Sequence, residues 1–323
     1  MLEVVLGDIT GLQVEANING GLLPERGKLI TGRGAAAEDN VIYAAYTGID
    51  VNKVREATKN ALLRAEKLNL HTVALTAPAN TKDGLSKKVA QVTVSEVRRY
   101  LAAGSNIKKV LFVLKEQEDY NNFLNMVNRK KIVCLGDSIT YGYPYGTEVS
   151  WVRIITKQLD MHMINKGING DTTVQMQARF DTDVVPWEPS YVIILGGTND
   201  AFLGVDLSRV QKAFSIMVQN SFEEGICPIL GLPAAVSTGG VLSDFPAEEF
   251  REVSEKLNSI RDWIKGFAAN LQLPTIDFYS PLLEQSSGQG NPGYFVDGYH
   301  PNRLGYQVLA KEAGKLLSHL KFL

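Results

Sequence analysis

The chain has 323 residues, 45% of them hydrophobic and 21% charged, with a formal net charge of −2 at pH 7 and a pI of about 6.1. That length exceeds one average domain of roughly 100 to 200 residues and predicts two, while the composition matches ordinary soluble globular proteins. The near-zero charge excludes the global positive field needed to hold nucleic acid or an anionic membrane, and no apolar run approaches the ~18 residues of a membrane span.

Met1 to Gln13 carries Glu3 and Asp8 and lacks the basic stretch and apolar run of a secretory signal, so a cytoplasmic protein is expected. Leu2 to Leu6 reads as a strand. Residues 53 to 67 place Val54, Ala57, Ala61, Leu62 and Ala65 at helical spacing. Strands follow at His71 to Thr76 and Lys109 to Leu114, separated by a helix over Lys87 to Leu101. Glu118 to Asn122 begins a last helix of the first half, and Asn128 to Lys131 is a short basic connector. The chain therefore divides into residues 1–127 and 128–323.

The second half predicts strands at Lys131 to Leu135, Met163 to Asn165, Tyr191 to Leu195, Pro228 to Leu232 and Pro274 to Asp277. Helices fall between and after them, at Trp151 to Leu159, Leu207 to Ser221, Ala247 to Leu271 and Arg303 to Leu320. Alternating strands and helices predict a parallel sheet in a three-layer α/β/α sandwich. The two cysteines, Cys134 and Cys227, lie inside apolar strand-like runs and read as buried reduced thiols, neither disulfide nor metal ligands.

Four segments of this half each follow a strand, where α/β sheets place their ligands. Gly136-Asp137-Ser138-Ile139-Thr140 follows the first; a glycine before a tight strand-to-helix turn lets the serine hydroxyl project from the sheet edge. A serine at its free pKa is a poor nucleophile and needs an imidazole to take its proton and a carboxylate to orient that imidazole. Asp297-Gly298-Tyr299-His300-Pro301 supplies both, its three-residue separation able to bring Asp297 onto one ring nitrogen of His300 and leave the other for Ser138. His71 and His162 open or flank strands and His319 lies in the terminal helix, so His300 is the base by elimination. Gly170, in Gly167 to Thr173, and Asn199, in Leu195 to Asp200, offer a backbone and a side-chain amide. With the Ser138 amide they make three donors for an oxyanion.

These four segments in this order resemble the SGNH superfamily of hydrolases, also called the GDSL esterase and lipase family, over roughly Lys131 to Leu323. The resemblance places the family's serine on Ser138, its oxyanion glycine on Gly170, its asparagine on Asn199 and its Asp-x-x-His pair on Asp297 and His300. It implies a flavodoxin-like sandwich, no metal or other cofactor, and small-molecule substrates that include simple esters, thioesters, lysophospholipids and acetylated sugars. It also implies a structural part for Asp137, which is expected to tie loops together. Tyr141, Tyr143 and Tyr145 could line an acyl or sugar pocket or face solvent, and Leu232 to Phe250 is a long connection that reads equally as substrate rim or surface excursion.

Val4 to Thr10 and Val14 to Asn19, followed by Gly32-Arg33-Gly34 ahead of a helix from Ala35 to Ala45, resemble the opening of macro domains, which bind ADP-ribose and its relatives; Val73 to Ala79 continues the likeness to about Tyr120. The resemblance implies an N-terminal macro-like α/β domain in which Asp8 reads adenine and Asp8, Ile9, Asn19, Gly32 and Gly34 contribute to a nucleotide site. Asn80 to Gly84 lacks the glycine run that gives close access to phosphate oxygens. A scaffold or dimerisation surface and a working nucleotide site are both consistent with this half, and self-association is left open.

The leading expectation is a serine hydrolase that cleaves acyl or acetyl esters through an acyl-enzyme. The alternatives are a nucleotide-sensing module that presents O-acetylated ADP-ribose or an acetyl sugar to an esterase half, and a thioesterase or lysophospholipase.

Overall fold

A computed structural model describes residues 1–7, 16–22, 31–33, 40–46, 50–76, 85–238, 247–284 and 288–320. Two compact units divide the chain, one built on Met1–Arg129 and the other on Lys130–Ser221 and Pro228–Lys321.

The first unit runs β1 (Leu2–Leu6), β2 (Ala16–Leu22), β3 (Thr31–Arg33), β4 (Asn40–Tyr46), α1 (Val51–Lys67), β5 (Thr72–Thr76), α2 (Leu85–Ala102), β6 (Lys109–Leu114) and α3 (Gln117–Val127). Its six strands are ordered β1-β6-β5-β2-β4-β3, all pairings parallel except β3 with β4. The Asp50 side chain caps α1 by accepting from the Asn52 amide at 2.8 Å. The stripe Val54, Ala57, Ala61, Leu62 and Ala65 then joins Val73, Leu75, Val110 and Phe112 in one core. The helix expected to run to Ala45 is not there: residues 40–46 form β4, parallel to β2. Val41, Ile42 and Tyr43 are strand formers, and ladder pairing outweighs the modest helical preference of the neighbouring alanines.

The second unit runs β7 (Ile132–Gly136), α4 (Ser138–Tyr141), α5 (Trp151–Leu159), β8 (Met163–Gly167), α6 (Thr173–Ala178), α7 (Phe180–Asp183), β9 (Tyr191–Leu195), α8 (Thr198–Phe202), α9 (Leu207–Glu223), β10 (Cys227–Leu232), α10 (Ala247–Leu271), β11 (Thr275–Asp277) and α11 (Arg303–Leu320). Its sheet is ordered β11-β10-β9-β7-β8, with β7 parallel to both β8 and β9, and β10 parallel to β11. Every residue of β7, β9 and β10 is buried, which explains why these strands read as continuous apolar runs rather than alternating ones.

The strand order reverses direction after β8. Because parallel crossovers are right-handed, α5 is carried to one face, and α9 and α10 to the other. Accordingly α5 packs against α11, while Phe214 of α9 meets Trp263 of α10 with ring centroids 6.1 Å apart. This is the doubly wound order of flavodoxin-like sheets, whose ligand crevice opens at the carboxyl ends of the strands beside the switch point, here between β7 and β9. Among the described residues no helix is long and apolar enough to cross a membrane.

Candidate active site

The β7 turn is built for close approach. A Cβ at Gly136 would come within 2.7 Å of the Leu195 carbonyl oxygen, so only glycine lets the end of β7 press against β9. Asp137 then caps α4, its Oδ1 accepting from the Ile139 amide at 2.9 Å. Burial pushes the Asp137 carboxyl up to about 7, against the opposing pull of that hydrogen bond and of His300. That bond joins Asp137 to its own turn, whereas the residue was expected to tie loops together, and its Oδ2 meets no hydrogen-bond partner among the described residues. Ser138 is the first residue of α4 and 6% exposed.

The Asp297 turn supplies the partner. Its Oδ1 accepts the backbone N–H of His300 at 2.9 Å and of Tyr299 at 3.3 Å, and its Oδ2 meets His300 Nδ1 at 2.7 Å. An ionised carboxylate can only accept, so Nδ1 carries the ring proton and Nε2 is left as an acceptor. That nitrogen lies 2.9 Å from Ser138 Oγ. Burial raises the Asp297 pKa, but the hydrogen bonds and charge of His300 outweigh it and hold the carboxyl below its usual range. Two tyrosine rings flank the imidazole, Tyr143 and Tyr299, each with its centroid 4.4 Å away. Phe202 in turn packs 4.8 Å from Tyr299. His71, His162 and His319 are all exposed.

The loops after β8 and β9 interlock. Gly170 has φ of +84°, a left-handed conformation that favours glycine. Two residues on, Thr172 begins α6 with a reciprocal capping box to Gln175. Asn199, in the first turn of α8, donates from Nδ2 to the Asp171 carbonyl at 2.9 Å, and the buried Asp200 accepts from the Thr173 amide at 2.9 Å and its hydroxyl at 2.7 Å.

Arg179, which no motif singles out, ties this rim to the nucleophile loop. It donates to Asp171 Oδ2 at 2.6 Å, Asp183 Oδ2 at 2.7 Å, the Lys166 carbonyl at 3.0 Å and the Gly136 carbonyl at 2.9 Å. Sequence reasoning missed Arg179 because its four partners, two carboxylates and two main-chain oxygens, are gathered only by the fold. Asp200 was in view beside Asn199, and only its buried bonds to Thr173 reveal its part.

Of the tyrosines after Ser138, Tyr143 lies on His300 and is 40% exposed, while the Tyr145 ring lies under the Arg303 guanidinium at 4.7 Å. Of the residues considered for a nucleotide, Asn19 lies in β2 and Gly32 in β3, strands that both pair with β4. Asp8, Ile9 and Gly34 lie outside the described residues, as does the middle of the Leu232 to Phe250 connection.

Residues 134–308 match the GDSL-like lipase/acylhydrolase family. The uncharacterized lipoprotein YqeF of Bacillus subtilis is 28% identical over 182 residues, 49% of this chain and 74% of that protein. Thioesterase 1/protease 1/lysophospholipase L1 of Escherichia coli is 23% identical over 192 residues, 58% of this chain and 84% of that one. Among solved structures, a lipolytic protein of the G-D-S-L family from Desulfitobacterium hafniense aligns with a TM-score of 0.51 at 28% identity, covering 58% of this chain and 99% of that one.

Proposed function

The chain belongs to the GDSL-like lipase/acylhydrolase family and hydrolyses carboxylic esters, and from that premise we propose that Ser138 is its nucleophile, His300 its general base and Asp297 the carboxylate that orients the base. The observation that carries this reading is the continuous chain of hydrogen bonds from Ser138 Oγ through the His300 ring to Asp297. As Ser138 Oγ attacks the acyl carbon, its proton passes to His300 Nε2. Asp297 stabilises the imidazolium that results.

The oxyanion is received by the backbone amides of Ser138 and Gly170 and by the Asn199 side chain. One Asn199 N–H is held by the Asp171 carbonyl; that bond orients the amide and leaves its second hydrogen for substrate. Collapse of the tetrahedral intermediate expels the alcohol, which takes the proton from His300 and leaves an acyl group on Ser138. Water, deprotonated by the same imidazole, then releases the acid.

Short acyl groups, acetyl above all, carried on a sugar or nucleoside are the proposed substrates. A thioester or lysophospholipid is the competing reading, favoured by the thioesterase and lysophospholipase named in the Escherichia coli relative. A fluorophosphonate probe should add its mass to the wild type and not to Ser138→Ala; equal labelling of both would refute the assignment. Best turnover on long-chain p-nitrophenyl esters would overturn the short-acyl preference.

Residues 1–127 are proposed as a macro-like domain joined to a hydrolase domain over 128–323. The α/β character of the first unit supports the reading. Calorimetry of the full chain with ADP-ribose tests it: heat supports a nucleotide site, and none at millimolar ligand leaves a scaffold.

A further inference from the structure

The ring of His300 becomes positive only when it has taken a proton, from Ser138 in acylation and from water in deacylation. Asp297 meets that charge at one edge, its Oδ2 lying 2.7 Å from Nδ1. Bulk water solvates it poorly, because the His300 side chain is only 12% exposed. Two aromatic rings stand against the imidazole instead. Tyr143 and Tyr299 each bring a ring centroid to 4.4 Å from it, tilted by 47° and 46°. Both lie within the ~6 Å over which the π electrons of a ring attract a cation.

The two rings reach the base from different loops and are held independently. Tyr143 follows α4; its amide donates to the Ser138 carbonyl at 3.0 Å, and its carbonyl accepts from the Tyr306 hydroxyl at 2.7 Å. Tyr306 belongs to α11 and is fully buried, so the main chain that carries the Tyr143 ring is fastened both to the nucleophile helix and to α11. The ring itself stays 40% exposed, too open for a residue whose task is to fill the core. Tyr299 stands beside His300 in the Asp297 turn, and Phe202 of α8 braces its ring at 4.8 Å.

The energetic consequence lies in the difference between the two states of the base. A neutral imidazole gains ordinary ring packing from these tyrosines; an imidazolium gains that packing and, in addition, attraction to two electron-rich π systems. Only the second increment appears as the barrier is climbed, and an interaction stronger in the transition state than in the ground state raises kcat. We propose that Tyr143 and Tyr299 are positioning residues for the hydrolysis, a pair of rings that stabilise the protonated His300 alongside Asp297. The inference rests on the triad reading and deepens it. The attraction belongs to the ring and not to the hydroxyl, so phenylalanine can supply it, whereas leucine keeps the bulk and loses the π electrons.

Turnover of p-nitrophenyl acetate by wild type, Tyr143→Leu, Tyr143→Phe and Tyr299→Leu is followed from about pH 5 to 9, with thermal melts to establish folding. Tyr143→Leu should lose about three- to tenfold in kcat. The acid limb of its kcat/KM profile should move to lower pH by about half a unit, because a base less favoured as a cation takes its proton later as pH falls. Tyr143→Phe should recover most of both changes. Tyr299→Leu should move the limb in the same direction, and it carries the test if Tyr143→Leu does not fold. Asp297, Ser138 and Asp137, which also act on His300, are common to all four proteins and cancel in the comparison. Rings that only exclude water predict a limb unmoved by leucine or moved to higher pH, and rings that only hold substrate predict a change in KM alone; either result overturns the stabilising role. Equal losses in Tyr143→Phe and Tyr143→Leu would overturn it too, by placing the effect on the hydroxyl. Equal fluorophosphonate labelling of wild type and Ser138→Ala would instead remove the triad reading, and this inference with it.

Discussion

Replacing Asp297 with asparagine exchanges a carboxylate for an amide of the same shape, and the surrounding donors dictate how that amide must sit. Oδ1 receives two backbone N–H groups, from His300 at 2.9 Å and Tyr299 at 3.3 Å. Turning the amide nitrogen toward them would oppose donor to donor and strand main-chain groups, at roughly 1–3 kcal/mol each. The side chain therefore keeps its oxygen on the backbone and points its NH2 at His300 Nδ1. Nδ1 must then accept, the ring proton moves to Nε2, and the nitrogen 2.9 Å from Ser138 Oγ can no longer take a proton.

The expected loss in kcat is about 10⁴, or about 5 kcal/mol of barrier, the cost of a wrong tautomer in a serine-histidine-aspartate site. Asp297→Ala imposes no tautomer and should retain more activity than Asp297→Asn, although it removes more atoms. Steady-state turnover of p-nitrophenyl acetate and the rate of fluorophosphonate labelling are the assays. An asparagine variant more active than the alanine variant would refute the tautomer argument, and one keeping more than about 1% of wild-type kcat would refute the role of Asp297 altogether.

Three further outcomes follow from the site. Asn199→Ala should lower kcat by roughly 10²–10³ with little change in KM, because its free N–H acts on charge that develops only in the transition state; a pure KM effect would count against an oxyanion role. Arg179→Ala removes the partner of two largely buried carboxylates and two carbonyls and should cost about 3 kcal/mol in chemical denaturation, with Arg179→Lys recovering only part because one ammonium cannot span the four acceptors. Asp137, raised by burial to about 7, keeps its proton in the folded state over a pH range where the unfolded chain has lost it. Its contribution to stability is thus complete below pH ~4 and is lost as pH rises through ~7. The stability of Asp137→Asn relative to wild type should improve between pH 5 and pH 8, and a pH-independent difference in denaturation free energy would refute the shift.

What could be read from the sequence follows from where each signal resides. The second sheet was legible because β7, β9 and β10 are apolar along their whole length, and α5, α10 and α11 occupy the spans predicted for them. Their stripes and caps are local. The short helices α6, α7 and α8 were missed, since helices of four to six residues show too little periodicity to register. In the first unit the alanines before Tyr46 read as helix, whereas β4 exists because β2 lies beside it, a pairing invisible in a local window. Ser138, Asp297 and His300 could be nominated because chemistry demands those residue types together. Arg179 and Asp200 could not, because each acts through main-chain or distant partners that the fold alone brings near.

The meeting of Ser138 with His300 is a product of strand order more than of either motif. Ser138 follows β7 and His300 follows β11, and β9 and β10 lie between them, three steps of roughly 4.8 Å across the sheet. The chain after β11 therefore has to return across the strand ends by ~14 Å, and it is fastened at successive strands on the way. Gly290 bonds to Val236 and Gly298 to Ser237, both beyond β10. Tyr299 rests on Phe202, beyond β9. His300 then arrives at Tyr143 and Ser138, beyond β7. Each fastening narrows the positions open to the next, so the short Asp297 turn has only to aim a ring whose location the sheet has already fixed.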